Sequence, residues 1–279
     1  MLKTSIDRFD GRIDGTVISL GHSINKAAKN MGIDEAMLRL SDERNTFFVR
    51  TYEFERNTII LSASDSIKNV IRYADLDLTR RITAGKPIYI DDNVLSYSIT
   101  GPMHHGAKIN PGEVHKIYGS MIAKAIETTL NANIKLELGD AYSIRFNGMP
   151  LVGNGQHIAQ GHSFMYHGVI AVGPWDFKKI SSSLRLLESD SQALRALPSI
   201  SKMNGSNISI DEYKKRLSSN IISTIKSFFK NSKSSSIADM GIEDLSNIIS
   251  KEKYTNNSWI LRDDITLRED SRFCLLYEG

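Results

Sequence analysis

The sequence holds a single cysteine, Cys274, close to its end. One thiol cannot build a disulfide framework within the chain, which fits a reducing interior. Excess charge is also lacking. Thirty-five lysines and arginines stand against 32 aspartates and glutamates, a net charge of +3. That is too weak to argue for a nucleic-acid partner, so any basic site must be local. No apolar run is long enough to cross a membrane, and Met1-Leu2-Lys3-Thr4-Ser5-Ile6-Asp7 lacks the apolar centre of a signal peptide. The expected location is therefore the cytoplasm, with no membrane partner. Internal repeats are absent too. What is present is ordinary for a globular protein: 279 residues, 41% hydrophobic and 24% charged, enough for one large or two smaller domains.

One stretch stands out, Arg80-Arg81-Ile82-Thr83-Ala84-Gly85-Lys86-Pro87-Ile88-Tyr89-Ile90-Asp91. An apolar run ending at Tyr73 precedes it, and Val94-Leu95-Ser96-Tyr97-Ser98-Ile99 follows. Small residues at Ala84 and Gly85 let backbone approach a ligand closely. Arg80, Arg81 and Lys86 suit a carboxylate or phosphate, the arginines through their planar forks. Two readings fit: an anion-binding turn between two strands, or a basic hairpin turn with no ligand.

Elsewhere the pattern alternates between helix and strand signals. Residues 22–41 read as a first helix, with Ile24, Ala27, Ala28 and Met31 on one stripe and Asp34 and Glu35 as an acidic edge without a catalytic role. Thr46–Tyr52 and Thr58–Ser62 read as strands. Arg50 inside the first of these needs a partner for its charge or an exposed edge. His104-His105 lies in a loop without carboxylate or cysteine partners at ligand spacing, so it is read as solvated rather than metal-binding. Residues 113–132 give the clearest helix, with Pro111 just before its start. Asn147-Gly148 between apolar segments signals a hairpin. His167 sits in an apolar strand, where a hydrogen-bonded core histidine is the simpler reading. A short helix is expected over Asp176–Leu187. Ser209-Ile210-Asp211-Glu212 is a capping box opening another helix, and Ile242–Ser250 is amphipathic. Asn231–Ser236, rich in serine and lysine, reads as a linker.

The prominent stretch resembles the signature of the lipoate–protein ligase A family, R-R-x-S/T-G-G-G/R-A-V-x-H-D followed by L-S/T-Y/F-S. Arg80, Arg81, Thr83, Gly85, Asp91 and Leu95-Ser96-Tyr97-Ser98 match; Ala84, Lys86 and Ile90 depart from it. Further landmarks follow in order. Asn30–Leu38 resembles N-M-A-x-D-E-A-L-L, and Arg50 falls in the family's L-R-x-Y-x-W. Asn147-Gly148, Leu151, Gly153, Asn154 and Gln156 match D-I-x-x-N-G-K/R-K-I/L-x-G-S/N-A/G-Q. His167-Gly168 matches H-H-G-S/T, and Lys253–Trp259 resembles K-Y-x-x-x-x-W. The resemblance runs from about Ile18 to Trp259.

The resemblance implies an α+β fold, a mixed β-sheet flanked by helices of the biotin/lipoate protein ligase catalytic type. It suggests a catalytic domain over about residues 1–230, with a short linker and helical segment, 231–279, packed on it. It implies ATP-dependent activation of lipoate or a related acyl group, usually with Mg2+, and transfer to a lysine of a lipoyl domain in a 2-oxoacid dehydrogenase subunit or a glycine-cleavage H protein. Arg50, Arg80, Arg81, Thr83, Ala84, Gly85, Asn154, His167 and Gly168 become the expected acyl-adenylate-binding residues. Pro150 stands where the family carries a lysine that contacts the acyl carbonyl and the adenylate phosphate, and proline offers neither charge nor donor. Lys86 is the candidate replacement; otherwise it is a solvated turn residue. The same departure leaves an alternative: a catalytically degenerate member that binds an acyl group, nucleotide or lipoyl domain as an accessory protein. A separate accessory subunit is also compatible with the pattern. Cys274 lies far from the cysteine positions of the related octanoyltransferases, and neither G-R-G-R-x-G-R nor K-W-P-N-D of biotin–protein ligases is present.

Overall fold

The computed structural model describes residues 8–71, 75–103, 110–130, 134–159, 162–185, 195–204 and 208–262. Eleven strands fall into two sheets among these residues. The larger contains β1 (Ile13–Asn25), β2 (Phe47–Phe54), β6 (Val94–Pro102), β7 (Glu137–Leu138), β8 (Ile144–Phe146), β9 (Met149–Ala159), β10 (Ser163–Ala171) and β11 (Phe229–Ser234), in the order β11-β1-β2-β6-β10-β9-β8-β7. It is mixed: β1 runs parallel to both β2 and β11, and the remaining pairs are antiparallel. The smaller sheet places β3 (Thr58–Leu61) between β4 (Asp77–Arg80) and β5 (Ile88–Ile90).

Period-two alternation builds two apolar layers on the large sheet. Val17, Phe47, Val49, Tyr97 and Ile99 point to one side, under the helices Ser120–Leu130 and Ile210–Phe228. Ile18, Leu20, Phe48 and Tyr52 point to the other, under Ala27–Glu43 and Ile242–Ile249. This is the α+β mixed sheet flanked by helices that the sequence suggests.

Local signals explain several boundaries. Asn147 and Gly148 have φ of 50° and 73°, the left-handed pair that a two-residue hairpin between β8 and β9 needs. Ser209 Oγ accepts the Glu212 N–H at 3.2 Å and opens Ile210–Phe228. Asp176 caps the shorter Phe177–Ser183 by accepting from the Lys179 N–H. The middle helix has a break in pitch: Pro111–Val114, a π-helical turn His115–Gly119, then Ser120–Leu130.

Two expectations are corrected. The first helix begins at Ala27, not at residue 22, because His22–Asn25 complete β1 and pair with Thr51–Phe54. Ile24, placed on the helical stripe, is 57% exposed. Asn231–Ser236 is not a linker either, since residues up to Ser234 form β11 beside β1. An edge strand takes its stability from the backbone ladder, so serine and lysine side chains can face solvent there. The expected boundary near residue 230 thus falls inside a strand. His104, His105 and Cys274 lie outside the described residues. No helix among the described residues is long and apolar enough to cross a membrane.

The C-terminal helix Ile242–Ile249 lies directly on the first helix. Lys29 Nζ donates to Ser246 Oγ at 2.8 Å, and Ser250 Oγ donates to the Ala28 carbonyl at 3.1 Å. A β-carbon on Gly32 would lie 2.1 Å from Ser250 Oγ and 2.7 Å from the Ser246 carbonyl oxygen. Gly32→Ala is therefore expected to force the two helices apart and cost about 1–3 kcal/mol in urea unfolding; an unchanged midpoint would contradict this packing.

Candidate functional site

β4 and β5 flank β3, so the chain between them must turn back over one end of the small sheet. That turn carries Arg81 to Pro87. It is tied to β3 by the Arg81 N–H donating to the Leu61 carbonyl and the Ala63 N–H donating to the Thr83 carbonyl, both at 2.9 Å. Gly85 has φ of 117°, a conformation that suits glycine, and a β-carbon there would lie 2.8 Å from Arg81 Nη2. The guanidinium of Arg81 is held inside its own turn. Nε donates to Thr83 Oγ1 at 2.9 Å, Nη1 to the Ile60 carbonyl at 3.3 Å, and Nη2 to the carbonyls of Ala84 at 3.2 Å and Lys86 at 2.9 Å. Burial lowers its pKa to about 10. Among the described residues no carboxylate makes an ion pair with it.

The turn walls a cavity of about 170 Å3. Met31, Tyr52, Ile60, Ile88 and Val169 give it an apolar side, while Arg81 and Lys86 give it a cationic one. Among the described residues the Lys86 ammonium has no hydrogen-bond or ion-pair partner. Asn154, Ser143 and His167 add further polar groups, and no carboxylate is among the lining residues described. The sheet is thin under the cavity because Gly168 lies opposite Asn154 on β9 and Tyr97 on β6. A β-carbon on Gly168 would stand 2.3 Å from Asn154 Oδ1 and 2.7 Å from the Tyr97 hydroxyl. That hydroxyl donates to Asn154 Oδ1, and Asn154 Nδ2 donates to the Tyr142 carbonyl. Tyr142 and Ala141 both have positive φ, 60° and 51°, an uncommon pair of left-handed residues beside the cavity.

Behind this wall lies a buried ion pair. Asp34 Oδ1 accepts from Arg50 Nε at 2.9 Å and Nη2 at 2.7 Å. Its Oδ2 accepts from the Tyr52 hydroxyl at 3.1 Å and faces His167 Nδ1 at 3.2 Å. Burial alone would raise the Asp34 pKa; the guanidinium of Arg50, followed by His167, outweighs it and holds the carboxylate below its usual range. His167 Nε2 lies 2.8 Å from Thr83 Oγ1.

The sequence-expected residues thus divide. Arg81, Gly85, Lys86, Asn154, His167 and Gly168 line the cavity. Thr83 is fully buried behind it, bonded to His167 and Arg81. Ala84 is exposed and offers the turn only its carbonyl. Arg50 is not at the cavity wall: it is 1% exposed, its guanidinium taken by Asp34 and Asn30. Arg80 does not face the cavity either. Successive strand residues point to opposite sides. Arg80 therefore turns inward, to the carbonyls of Ser62 at 2.8 Å, Asp65 at 2.6 Å and Ile260 at 2.9 Å. Sequence reasoning missed Asp34, Tyr97 and Tyr52. It also missed Arg145, buried with Nε on Ser143 Oγ at 2.9 Å, and His115, inside the π-helical turn. The odd charge in an apolar strand, Arg50, was the signal that could have led to Asp34.

The fold is a mixed sheet with helices on both faces. Solved structures share it. A bipartite lipoate protein ligase with its E2 lipoyl domain from Thermoplasma acidophilum superposes with a TM-score of 0.70 at 15% identity, over 92% of this chain and 99% of that one. A lipoate protein ligase A bound with ATP gives 0.68 at 15% identity, over 89% and 99%. A T. acidophilum protein described as a lipoate protein ligase, with bound lipoic acid, gives 0.67 at 15% identity, also over 89% and 99%. No protein of curated function matches by sequence. The chain belongs to the lipoyl protein ligase A/B catalytic domain family, whose model matches residues 26–243.

His115 supplies a pH test of the site's support. It is fully buried, its Nδ1 lies 2.9 Å from the Tyr166 hydroxyl, and burial lowers its pKa from 6.5 to about 4. The unfolded chain takes up this proton near pH 6.5 and the folded chain only near pH 4. The contribution is complete above pH 6.5 and declines as pH falls to 4, by about 3 kcal/mol. Urea unfolding across that window should show a steeper loss for the wild type than for His115→Gln.

Proposed function

We propose that this chain activates lipoate or a related acyl group with ATP, holds the acyl-adenylate in the cavity beside the 81–87 turn, and passes the acyl group to a lysine of a lipoyl domain. The supporting observation is the cavity's two-sided chemistry. An acyl-adenylate is an apolar chain joined to an anionic phosphate. Met31, Ile60 and Val169 suit the chain, and Arg81 and Lys86 suit the anion. A partly buried guanidinium with no ion-paired carboxylate among the described residues gains from an anionic ligand, and a hydrogen bond to such a charged group is worth about 1.5–3 kcal/mol.

In this reading Lys86 is the catalytic cation. Adenylate formation joins the acyl carboxylate oxygen to the α-phosphorus of ATP and releases pyrophosphate. Transfer then joins the acceptor amine to the acyl carbon and releases AMP. Negative charge gathers on phosphate and carbonyl oxygens in both steps, where a fixed cation lowers the barrier. Arg81 positions the phosphate, Asn154 and Ser143 face the polar end, and no cysteine nucleophile is needed. The residues present do not fit a magnesium ion held by the protein. Such sites rely on carboxylates, whereas the described cavity residues offer neutral oxygens and two cations, and no metal-binding cluster occurs among the described residues. The acceptor class is a lipoyl domain of a 2-oxoacid dehydrogenase subunit or a glycine-cleavage H protein, in the cytoplasm. Pro150 favours a second reading: it is buried in β9 opposite Arg145 and supplies no cation, as an accessory protein without catalysis would allow.

One experiment separates the two. Calorimetry with a lipoyl-sulfamoyl-adenosine mimic is paired with mass spectrometry of a lipoyl domain incubated with ATP, lipoate and the protein. Binding together with a mass gain is expected for the wild type. Lys86→Ala should keep the fold and lose adenylate formation. Binding without any mass gain would transfer the argument to the accessory reading, and the absence of both binding and mass gain would refute the ligase reading.

A further inference from the structure

Four side chains from three separate elements end in one line at the cavity: Asp34 of the first helix, His167 of β10, and Thr83 and Arg81 of the turn. The direction of each bond follows from chemistry once the His167 ring is taken as neutral. Asp34 is charged, held so by two bonds from Arg50, and a carboxylate only accepts. His167 Nδ1, 3.2 Å from Asp34 Oδ2, must therefore carry a proton. In the neutral ring Nε2 is then an acceptor and takes the Thr83 hydroxyl proton across 2.8 Å. Thr83 Oγ1 in turn accepts from Arg81 Nε at 2.9 Å. The His167 ring and the Thr83 hydroxyl are both buried, so water does not compete for these bonds.

We propose that Asp34 is a positioning residue for the anion end of the cavity. It holds His167 as the Nδ1–H tautomer, His167 orients the Thr83 hydroxyl, and Thr83 fixes the Arg81 guanidinium against the wall that meets the ligand. Asp34 does not line the cavity, so it acts only through the ring. The inference rests on the reading of this cavity as an acyl-anion site. The competing role is purely structural: a carboxylate that neutralises Arg50 and pins the first helix to β2.

Nitrogen-15 NMR of the histidine-labelled full chain distinguishes the roles. The chain has seven histidines, and His167→Gln assigns the signal. The wild type should show His167 as the neutral Nδ1–H tautomer at pH 7.5. An Nε2–H tautomer or an imidazolium would overturn the proposal. Asp34→Asn combined with Arg50→Met removes both charges and leaves no buried ion alone. In this double variant the Nδ1–H signature should be lost and the affinity for lipoyl-sulfamoyl-adenosine should fall about tenfold or more, the size of loss known when the carboxylate behind a metal-ligating histidine is removed. Thr83→Val lies downstream. It should lose affinity to a similar degree while His167 keeps its tautomer, and it carries the test with the wild-type spectrum if the double variant does not fold. A double variant that folds and binds as tightly as the wild type refutes the positioning role, as does unaltered affinity in Thr83→Val. If the wild type itself binds no mimic, the anion-site reading fails, and the spectra still decide whether Asp34 sets the ring.

Discussion

The Arg50–Asp34 pair is the constraint around which the middle of this molecule is arranged. Both side chains are almost fully buried, 1% and 2% exposed, and taking two charges out of water costs several kcal/mol for each ion. Their attraction offsets that only when the remaining polar valences are also filled. Asn30 accepts two further bonds from Arg50, and Tyr52 and His167 engage the second oxygen of Asp34. Arg50 also lies 3.9 Å from the centre of the Tyr52 ring. Those partners come from the first helix, β2 and β10. Losing either ion would leave the other buried and unpaired, so the seam between helix and sheet has one admissible arrangement.

The cavity follows from that seam and from glycine. The first helix brings Met31 over the sheet one turn from Asp34, and Tyr52 from β2 contributes its ring to the apolar side while its hydroxyl holds the carboxylate. Gly153, Gly155 and Gly168 keep β9 and β10 bare beneath, so the space that side chains would fill stays open to a ligand. The Arg81 turn closes the opposite side. Hydrophobic and cationic surfaces meet across a few ångströms because three elements with different burial demands converge on one point.

Much of this was legible in the sequence, for identifiable reasons. The 80–91 stretch stood out through its resemblance to a family signature, since small residues beside three cations also fit a plain hairpin turn, and Asn147-Gly148 because its backbone demand is specific. Other features were hidden. β1 runs through His22–Asn25, whose spacing also suits a helix; pairing with β2 decided the matter. β11 carries the composition of a linker, since an edge strand asks little of its side chains. Arg80 and Arg81 are indistinguishable as letters, and only the alternation of a strand sends one inward and one to the cavity. Asp34 read as part of a helix's acidic edge because its partners lie 16 and 133 positions away.

Arg80 joins two distant parts of the chain. Its Nε and Nη2 donate to the carbonyls of Trp259 and Ile260, and the Trp259 indole N–H donates back to the Arg80 carbonyl at 2.9 Å. The residue next to it in sequence, Arg81, faces the cavity. Local opening of a folded protein proceeds in cooperative blocks, and bonds shared by two segments place them in the same block. The turn at 80–87 and the segment at 257–262 are therefore tied to each other, although 180 positions separate Arg80 from Ile260. The rigidity with which the cavity meets a ligand is set in part by chain that does not touch the cavity.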